Sequence, residues 1–212
     1  CDMGGAAVVA GALALAIETG LNQRVKLFLC CAENMVSSFA YKLGDVITYK
    51  NGVTMEVANT DAEGRIVLAD GLLAAGETGA PLIINAATLT GAAVGATGGD
   101  YTALFSLDQD TADKAVTAAK LVNEPIWQLP LEPWHQGKCP SNFADTANSR
   151  PIPGGGPGGA SNAAGFLSRF VPNEGKGWLH FDIAAAYNGK SSDMWAAGAT
   201  GLSIETIAKL IS

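Results

Sequence analysis

The sequence predicts an α/β fold, a three-layer α/β/α domain around a mixed, mostly parallel sheet. Residues 4–18 are rich in Ala, Leu and Val and stop before Gly20, which is typical of a buried helix ended by a glycine. Three short runs are largely or wholly apolar, as in strands covered on both faces of a parallel sheet, at residues 24–31, 81–87 and 178–183. With 212 residues, 48% of them hydrophobic, the chain can bury one core, so we expect a single domain over residues 1–212.

The other elements follow in order along the chain. Two β-like runs, residues 46–49 and 53–58, are separated by the turn sequence Lys-Asn-Gly and predict a hairpin. Helical spacing begins at Gly64. Further on, the sequence predicts a strand at 101–107, an amphipathic helix at 108–123, a helix from Ser161 or Asn162, and a terminal helix at 202–210.

Charge and hydropathy exclude several classes of partner. The net charge is -7 and no basic stripe is visible, so we expect no nucleic-acid partner. No run of about twenty uninterrupted apolar residues is present, so we expect no membrane partner. The glycine-rich run at residues 153–159 lacks the Lys-Ser/Thr end of a P-loop, and we interpret it as an ordered loop rather than a nucleotide site.

The cysteines favour a cytoplasmic location. Cys1, Cys30, Cys31 and Cys139 show no Cys-x-x-Cys spacing, and two of them are adjacent in an apolar run, so we interpret them as reduced core thiols. The sequence also starts at Cys1 rather than Met and enters a strongly patterned segment within four residues. This start suggests that a natural N-terminal portion is missing.

The stretch Asn59-Thr60-Asp61-Ala62-Glu63-Gly64-Arg65 has an unusual density of charge, with two carboxylates and a guanidinium at two-residue spacing. Side chains at i and i+2 share a face in an extended backbone and diverge on a helix, so these three would converge only if the stretch is extended. Carboxylates that face one point repel unless a cation or proton lies between them, which predicts a metal site. The alternative is a helix start capped by Asn59 or Thr60, and spacing alone favours it.

The position of this stretch between the hairpin and a helix predicts a metal beside an anion pocket. Arg65 falls in the first helical turn, and helix N-termini bind anions through free amide groups. A second turn, residues 88–92, follows the strand at 81–87, and ligands collect beyond such strand ends, so it could face the same cleft. The alternative is an ordinary connection with threonine caps, which the sequence alone favours.

The two histidines do not predict a histidine metal site. His135 and His180 are the only histidines, and they are far apart in the sequence. His180 lies in the middle of a predicted strand, and we interpret it as a hydrogen-bonded core residue. His135 has no partner at acid–base spacing, which argues against a catalytic base.

With its charged motif placed between a hairpin and a helix, the sequence resembles the leucyl aminopeptidase family of two-metal exopeptidases. The heptapeptide at residues 59–65 is that family's signature. Further matching stretches run nearly end to end: Asp2-Met3-Gly4-Gly5-Ala6-Ala7, Ala32-Glu33-Asn34, Gly44-Asp45, Ala86-Ala87-Thr88-Leu89-Thr90-Gly91-Ala92 and Gly198-Ala199-Thr200-Gly201.

The resemblance implies a catalytic domain that holds two divalent metal ions per subunit. Asp2 matches the aspartate that binds one metal, Asp61 matches a ligand of the other, and Glu63 matches the carboxylate that bridges both. All-oxygen ligands suit manganese, zinc or magnesium. Two paired metals would lower the pKa of a bridging water and polarise the scissile carbonyl of a peptide.

The resemblance also implies an anion and a substrate site. Arg65 matches the family's catalytic arginine, which holds a bicarbonate that acts as a proton shuttle. Thr88, Leu89 and Gly91 match the turn that lines the substrate site through backbone groups. The family implies peptide substrates, broad specificity with a preference for acidic residues, and a homohexamer.

The sequence departs from the family pattern at its start. The family's remaining metal ligands, a lysine and an aspartate, and its catalytic lysine lie upstream of the position that matches Asp2, and none is in this chain. We therefore expect these 212 residues alone to bind metal poorly and to be inactive. Two alternatives are a non-catalytic oligomerisation module of the same family and a Mg-dependent phosphoryl-transfer domain that uses Asp61 and Glu63.

Overall fold

The computed structural model describes residues 2–191 and 195–212. The α-helices are α1 (Gly4–Glu18), α2 (Glu63–Gly76), α3 (Gly91–Thr97), α4 (Gln109–Val122), α5 (Gly159–Leu167) and α6 (Ile204–Ile211). The strands are β1 (Val46–Thr48), β2 (Thr54–Glu56), β3 (Ile83–Ala87), β4 (Thr102–Phe105), β5 (Ile126–Gln128), β6 (Thr146–Ala147), β7 (Trp178–Asp182), β8 (Tyr187–Asn188) and β9 (Gly198–Ala199). As expected, α1 ends just before a glycine with positive φ, Gly20.

The central sheet has the strand order β3-β7-β4-β5. β3 pairs with β7 in parallel and β4 pairs with β5 in parallel, whereas β4 and β7 are antiparallel. All residues of β4 and β7 are buried, as expected for inner strands covered on both faces. The prediction of a mixed, mostly parallel sheet is therefore confirmed.

Helices cover both faces of this sheet, so the three-layer prediction is confirmed as well. Consecutive residues of a strand point to opposite faces, and those of β4 divide accordingly: Phe105 packs with α2, α3 and α5, whereas Leu104 packs with α1, α4 and α6. Each face is a continuous apolar cluster. Among the described residues, no helix is long and apolar enough to cross a membrane.

A smaller sheet contains the predicted hairpin and leads directly into the charged motif. β1 and β2 pair antiparallel, with Ile47 opposite Met55, and Gly52 in the connecting turn has a φ of 87° that suits glycine. β2 also pairs in parallel with β6, where Met55 lies opposite Thr146. The end of β2 is thereby held between two strands just before residue 59.

The prediction of a buried strand at residues 24–31 is wrong. The segment belongs to no sheet in the described part of the chain, and Phe28 and Leu29 are exposed. An apolar run forms a strand only when its backbone groups find partners on a neighbouring strand. Here the segment and the edge strand β3 both line one cavity of about 760 Å³, and they do not pair with each other.

The cysteines follow the prediction only in part. Cys30, Cys31 and Cys139 are free thiols, but only Cys139 is buried, while Cys30 is half-buried and Cys31 is exposed. The two neighbours fail as core residues because they belong to the unpaired segment. Cys1 lies outside the described residues.

The elements that were not predicted include α3 and β5. α3 follows β3 closely, and its start has a threonine cap of the kind offered by the alternative interpretation of residues 88–92, because the Thr90 side chain accepts a hydrogen bond from the Ala93 N–H at 3.0 Å. β5 lies in a connection rich in tryptophan and proline, and it extends the sheet at the edge opposite β3. The helix expected from Ser161 or Asn162 begins two residues earlier, at Gly159.

Candidate active site

Six of the seven predicted site residues lie on one cavity. The cavity of about 760 Å³ extends along β3 and past its end, and its lining includes Asp2, Asp61, Glu63, Arg65, Thr88 and Leu89. Gly91, the seventh, begins α3 just beyond the lining. The site thus combines residues from the starts of α1 and α2 with the turn after β3, where ligands of α/β sheets collect.

A close contact between α1 and β3 places Asp2 at this site. A Cβ atom on Gly5 would overlap the carbonyl group of Ala86, so glycine permits the first turn of α1 to approach the strand. The Thr88 hydroxyl donates a hydrogen bond to Asp2 Oδ1 at 3.1 Å. This bond joins a predicted metal ligand to the predicted substrate turn.

Asp61, Glu63 and Arg65 reach the cavity without an extended backbone, so that part of the sequence argument is wrong. Thr60 and Asp61 form a turn, and the Asp61 N–H donates to Asn59 Oδ1 at 2.9 Å. Glu63 is then the first residue of α2. The turn and the helix start together bring the three side chains to one cavity.

The alternative interpretation of the motif as a helix start is correct for position but not for capping. α2 begins at Glu63, and Arg65 falls in its first turn as expected. The residue before the helix is Ala62, and it makes no side-chain cap. Asn59 and Thr60 therefore do not cap α2, and Asp61 remains exposed to the cavity.

Arg65 is a buried cation with an unused hydrogen-bond donor. Its side chain is 9% exposed, and one terminal N–H donates to the Asn148 carbonyl oxygen at 2.9 Å. Its Nε has no hydrogen-bond partner among the described residues. Burial lowers the pKa of the Arg65 guanidinium, while the nearby Cys139, Asp182 and Glu63 raise it. An anion at Nε would supply both a partner and a counter-charge.

Asp182 holds the turn after β3, and the sequence argument missed it. Asp182 Oδ1 accepts hydrogen bonds from the Leu89 N–H at 3.0 Å and the Thr90 N–H at 3.2 Å, and Oδ2 accepts from the Thr90 hydroxyl at 2.6 Å. The Leu89 N–H is therefore engaged by Asp182. A carboxylate at the end of an otherwise buried strand was the signal that could have indicated Asp182.

His180 is a core residue, as the sequence argument interpreted it. Asn85 accepts a hydrogen bond from the Trp178 indole at 2.9 Å, so its amide nitrogen faces His180 Nδ1, which must accept. The proton is then on Nε2, which has no partner among the described residues. Burial lowers the pKa of His180 to about 3, so the ring is neutral near pH 7.

His135 takes no part in the cavity. Its Nδ1 accepts a hydrogen bond from the Glu132 N–H at 3.0 Å, which closes the start of a short 3-10 helix, Pro133–Lys138. The ring also stacks on Trp134. These contacts give His135 a local structural role.

Asp182 and His180 make opposite contributions to the pH dependence of stability. Burial raises the pKa of Asp182 to about 6 and lowers that of His180 to about 3. Between about pH 4 and pH 6, the folded state thus binds more protons than the unfolded chain at Asp182 and fewer at His180. Acidification therefore stabilises the folded state through Asp182 and destabilises it through His180, and the two effects on the free energy of unfolding offset each other.

Asp182→Asn is expected to remove this compensation. Relative to the parent protein, the free energy of unfolding of the variant should fall by about 1.4 kcal/mol for each pH unit between pH 6 and pH 4. Urea unfolding of both proteins at several pH values measures the difference. Parallel pH profiles would show that Asp182 titrates near its ordinary pKa and would contradict the prediction.

The donor chemistry of the cavity suits divalent metal ions. Asp2, Asp61 and Glu63 offer carboxylate oxygens, which hard cations such as Mn²⁺ and Mg²⁺ prefer. Over residues 2–191 and 195–212, no group of three or more His, Cys, Asp or Glu side chains is close enough to hold a metal ion. The three carboxylates share the cavity without forming a complete coordination shell among themselves.

Fold and cavity together define an α/β domain with an acidic site next to a buried arginine. The sequence profile of the cytosol aminopeptidase family, catalytic domain, matches residues 1–208. The chain belongs to this family.

Comparisons with individual proteins agree with this family. The chain is 57% identical to a Peptidase B of Vibrio atlanticus (strain LGP32) over 210 residues, which cover 99% of the chain and 48% of that protein. It is also 57% identical to a Peptidase B of Yersinia pseudotuberculosis serotype O:1b (strain IP 31758), again over 99% of the chain and 48% of that protein. The chain thus spans about half the length of these relatives.

Solved structures show the same fold. A mutant of tomato leucine aminopeptidase matches with a TM-score of 0.86 at 37% identity, over 99% of this chain and 40% of that one. The bottromycin maturation enzyme BotP in complex with Mn matches with a TM-score of 0.86 at 35% identity, over 99% of this chain and 46% of that one.

Proposed function

We propose that this chain is the catalytic domain of a metal-dependent aminopeptidase that removes the N-terminal residue from peptides in the cytoplasm. The observation that carries the proposal is the shared cavity, which three carboxylates line together with a buried arginine and the turn after β3. Membership of the cytosol aminopeptidase family and the Mn complex of BotP support the reaction class and the use of metal. The role is intracellular peptide turnover.

The carboxylates would divide the metal ions among them. Asp2 would hold one divalent ion, Asp61 the other, and Glu63 would bridge both. When bound, such a pair lowers the pKa of a shared water and polarises the scissile carbonyl. Manganese, zinc and magnesium all suit this set of oxygen donors.

Arg65 would act on the proton and charge balance of the reaction. Its Nε–H has no partner among the described residues, and we infer that an anion binds it. The family resemblance implies that this anion is a bicarbonate that carries a proton. Burial strengthens the contact, because water does not compete for a guanidinium that is 9% exposed. Arg65 would thus hold the group that moves the proton to the leaving amine.

The turn after β3 would position the peptide. Thr88, Leu89 and Gly91 would face its first residues, and Asp182 keeps the turn fixed through three hydrogen bonds. We propose broad specificity with a preference for acidic N-terminal residues. A substrate amino group bound near the metals would restrict cleavage to the first peptide bond.

Further ligands would come from a longer polypeptide. Asp2, Asp61 and Glu63 are too few for two ions, and the family's lysine and aspartate ligands and its catalytic lysine match no residue of this chain. We therefore propose that the 212 residues alone are inactive. We also propose that the longer protein assembles as a homohexamer, as the family resemblance implies.

A pair of peptides tests the function. In a polypeptide extended upstream to include the missing lysines and aspartate and supplied with Mn²⁺, a peptide with a free N-terminus should lose its first residue. The N-acetylated form of the same peptide should stay intact, because it has no free amino group to bind. Mass spectrometry of the products over time measures both reactions.

Other outcomes select against the proposal. Cleavage of the acetylated peptide at internal bonds would contradict an exopeptidase. A hexamer in light scattering without release of any amino acid would favour the oligomerisation module, and turnover of a phosphate ester alone would favour phosphoryl transfer. Full activity of the 212-residue chain by itself would contradict the need for upstream ligands.

A further inference from the structure

Asn148 connects the small sheet to the charged motif. It is fully buried and follows β6 directly. Its N–H donates to the Glu56 carbonyl oxygen at 3.0 Å, which continues the pairing of β6 with β2. This bond fixes the end of β2 relative to Asn148, just before the chain enters the charged motif.

The Asn148 side chain bonds to four backbone groups of the motif loop, which we define as residues 58–62. Its Oδ1 accepts from the Ala58 N–H at 2.9 Å and the Asn59 N–H at 3.1 Å. Its Nδ2 donates to the Asn59 carbonyl at 2.6 Å and the Ala62 carbonyl at 3.3 Å. One side chain thus holds both ends of the turn that contains Asp61.

The Asn148 main chain fixes the arginine as well. Its carbonyl oxygen accepts the bond from Arg65, the one hydrogen bond that the structure gives this guanidinium among the described residues. Arg65 Nε is buried and has no hydrogen-bond partner among the described residues. The direction of that free N–H therefore depends on where Asn148 lies.

The chemistry of these contacts requires an asparagine. The side chain must accept two hydrogen bonds and donate two within the length of a single methylene, which an amide does and a carboxylate cannot, because an ionised carboxylate only accepts. Ala62 provides no cap for α2, so the loop lacks the usual side-chain control at a helix start. Asn148, from a distant part of the chain, instead binds the carbonyl of Ala62, the residue just before α2.

From these contacts we propose that Asn148 is a positioning residue that holds Asp61, Glu63 and Arg65 in their arrangement around the cavity. It does not line the cavity and acts through the backbone of the motif loop and through Arg65. The part of this proposal that concerns metal binding rests on the proposed function. The part that concerns loop conformation does not.

Hydrogen exchange in the full-length protein tests the conformational part. In Asn148→Ala, the Ala58 and Asn59 amides lose their acceptor and should exchange at least about tenfold faster, because a hydrogen bond of about 1.4 kcal/mol corresponds to that factor. The amides of β7 should exchange at the parent rate. A variant in which β7 exchanges as fast as the loop would show a general structural role and overturn the proposal.

Mn²⁺ titration tests the link to the site with an isosteric variant. Asn148→Asp keeps the acceptor for both amides but places an oxygen against the Asn59 and Ala62 carbonyls. The affinity for Mn²⁺ should fall by about ten- to a hundredfold, as when outer-shell partners of metal ligands are removed, and kcat should fall more than KM changes. Parent-like Mn²⁺ affinity and kcat in both Asn148 variants would overturn the proposal.

Asp145→Ala is the matched control in the same small sheet. Asp145 Oδ2 accepts from the Thr54 N–H at 2.9 Å and the Thr54 hydroxyl at 2.7 Å, so it also joins the β6 region to β2, at the opposite end. Its removal should leave loop exchange and Mn²⁺ affinity unchanged; equal effects from both sites would contradict a specific role for Asn148. If the parent itself binds no Mn²⁺, the proposed function fails, while hydrogen exchange still tests Asn148.

Discussion

Glu63→Gln is expected to lower the rate of amino-acid release by about a thousandfold or more in the full-length protein. Glu63 starts α2 and lines the cavity with the other two carboxylates, and its proposed role is to bridge both ions. Glutamine keeps the shape but removes the charge. A bridging ligand stabilises the transition state through the metals by several kcal/mol, and about 4 kcal/mol corresponds to a thousandfold in rate.

Asp70→Asn provides the control for this variant. Asp70 is an exposed carboxylate on the same helix and is absent from the cavity lining, so the substitution makes the same change of charge away from the site. Surface changes of this kind usually alter free energies by less than about 0.5 kcal/mol, so its rate should stay within about twofold of the parent. Retention of more than a tenth of the parent rate in Glu63→Gln would contradict the bridging role.

Arg65→Lys is expected to lower kcat by about a hundredfold with a smaller change in KM. Lysine keeps the positive charge but loses the planar group that binds the Asn148 carbonyl with one nitrogen and has Nε without a partner, the donor we propose for the anion. Loss of one well-placed donor to a reacting group costs about a hundred- to a thousandfold in kcat. The kinetic constants should be measured with and without added bicarbonate, which should stimulate the parent and not the variant.

Arg169→Lys is the control for this variant, because Arg169 has hydrogen bonding similar to that of Arg65. The Arg169 guanidinium also donates to a backbone carbonyl, that of Gln136 at 2.8 Å, and its Nε likewise has no partner among the described residues. It does not line the cavity. The control should therefore keep the parent kcat and its response to bicarbonate, and an equal loss in both variants would contradict a specific role for Arg65.

The sequence correctly predicted strands where a neighbouring strand was available to pair with them. The prediction was wrong where no such partner was available. The apolar runs that became β3 and β7 pair with each other over five residues each. The run at residues 24–31 is also largely apolar, but it lines the same cavity as the edge strand without pairing with it. The composition of a segment indicates how much free energy it gains when it is buried. Strand pairing also needs a neighbouring strand, and the local sequence pattern does not show whether one is present.

The residues that face the cavity could be predicted, but those that hold them in place could not. Asp61, Glu63 and Arg65 form a dense local motif, and the turn at Thr88 follows a recognisable strand. Asn148 and Asp182 are single polar residues whose partners lie up to 90 and 93 positions away in the sequence. Only the tertiary fold brings them together.

The count of Mn²⁺ bound per chain in the full-length protein tests the central claim most directly. Equilibrium dialysis of the parent and Glu63→Gln against Mn²⁺, followed by metal analysis, gives this number without reference to activity. We expect two ions per chain in the parent and at most one in the variant, because Glu63 would bridge both. No bound Mn²⁺ in the parent, or two ions in both proteins, would contradict a two-metal site built on Asp2, Asp61 and Glu63.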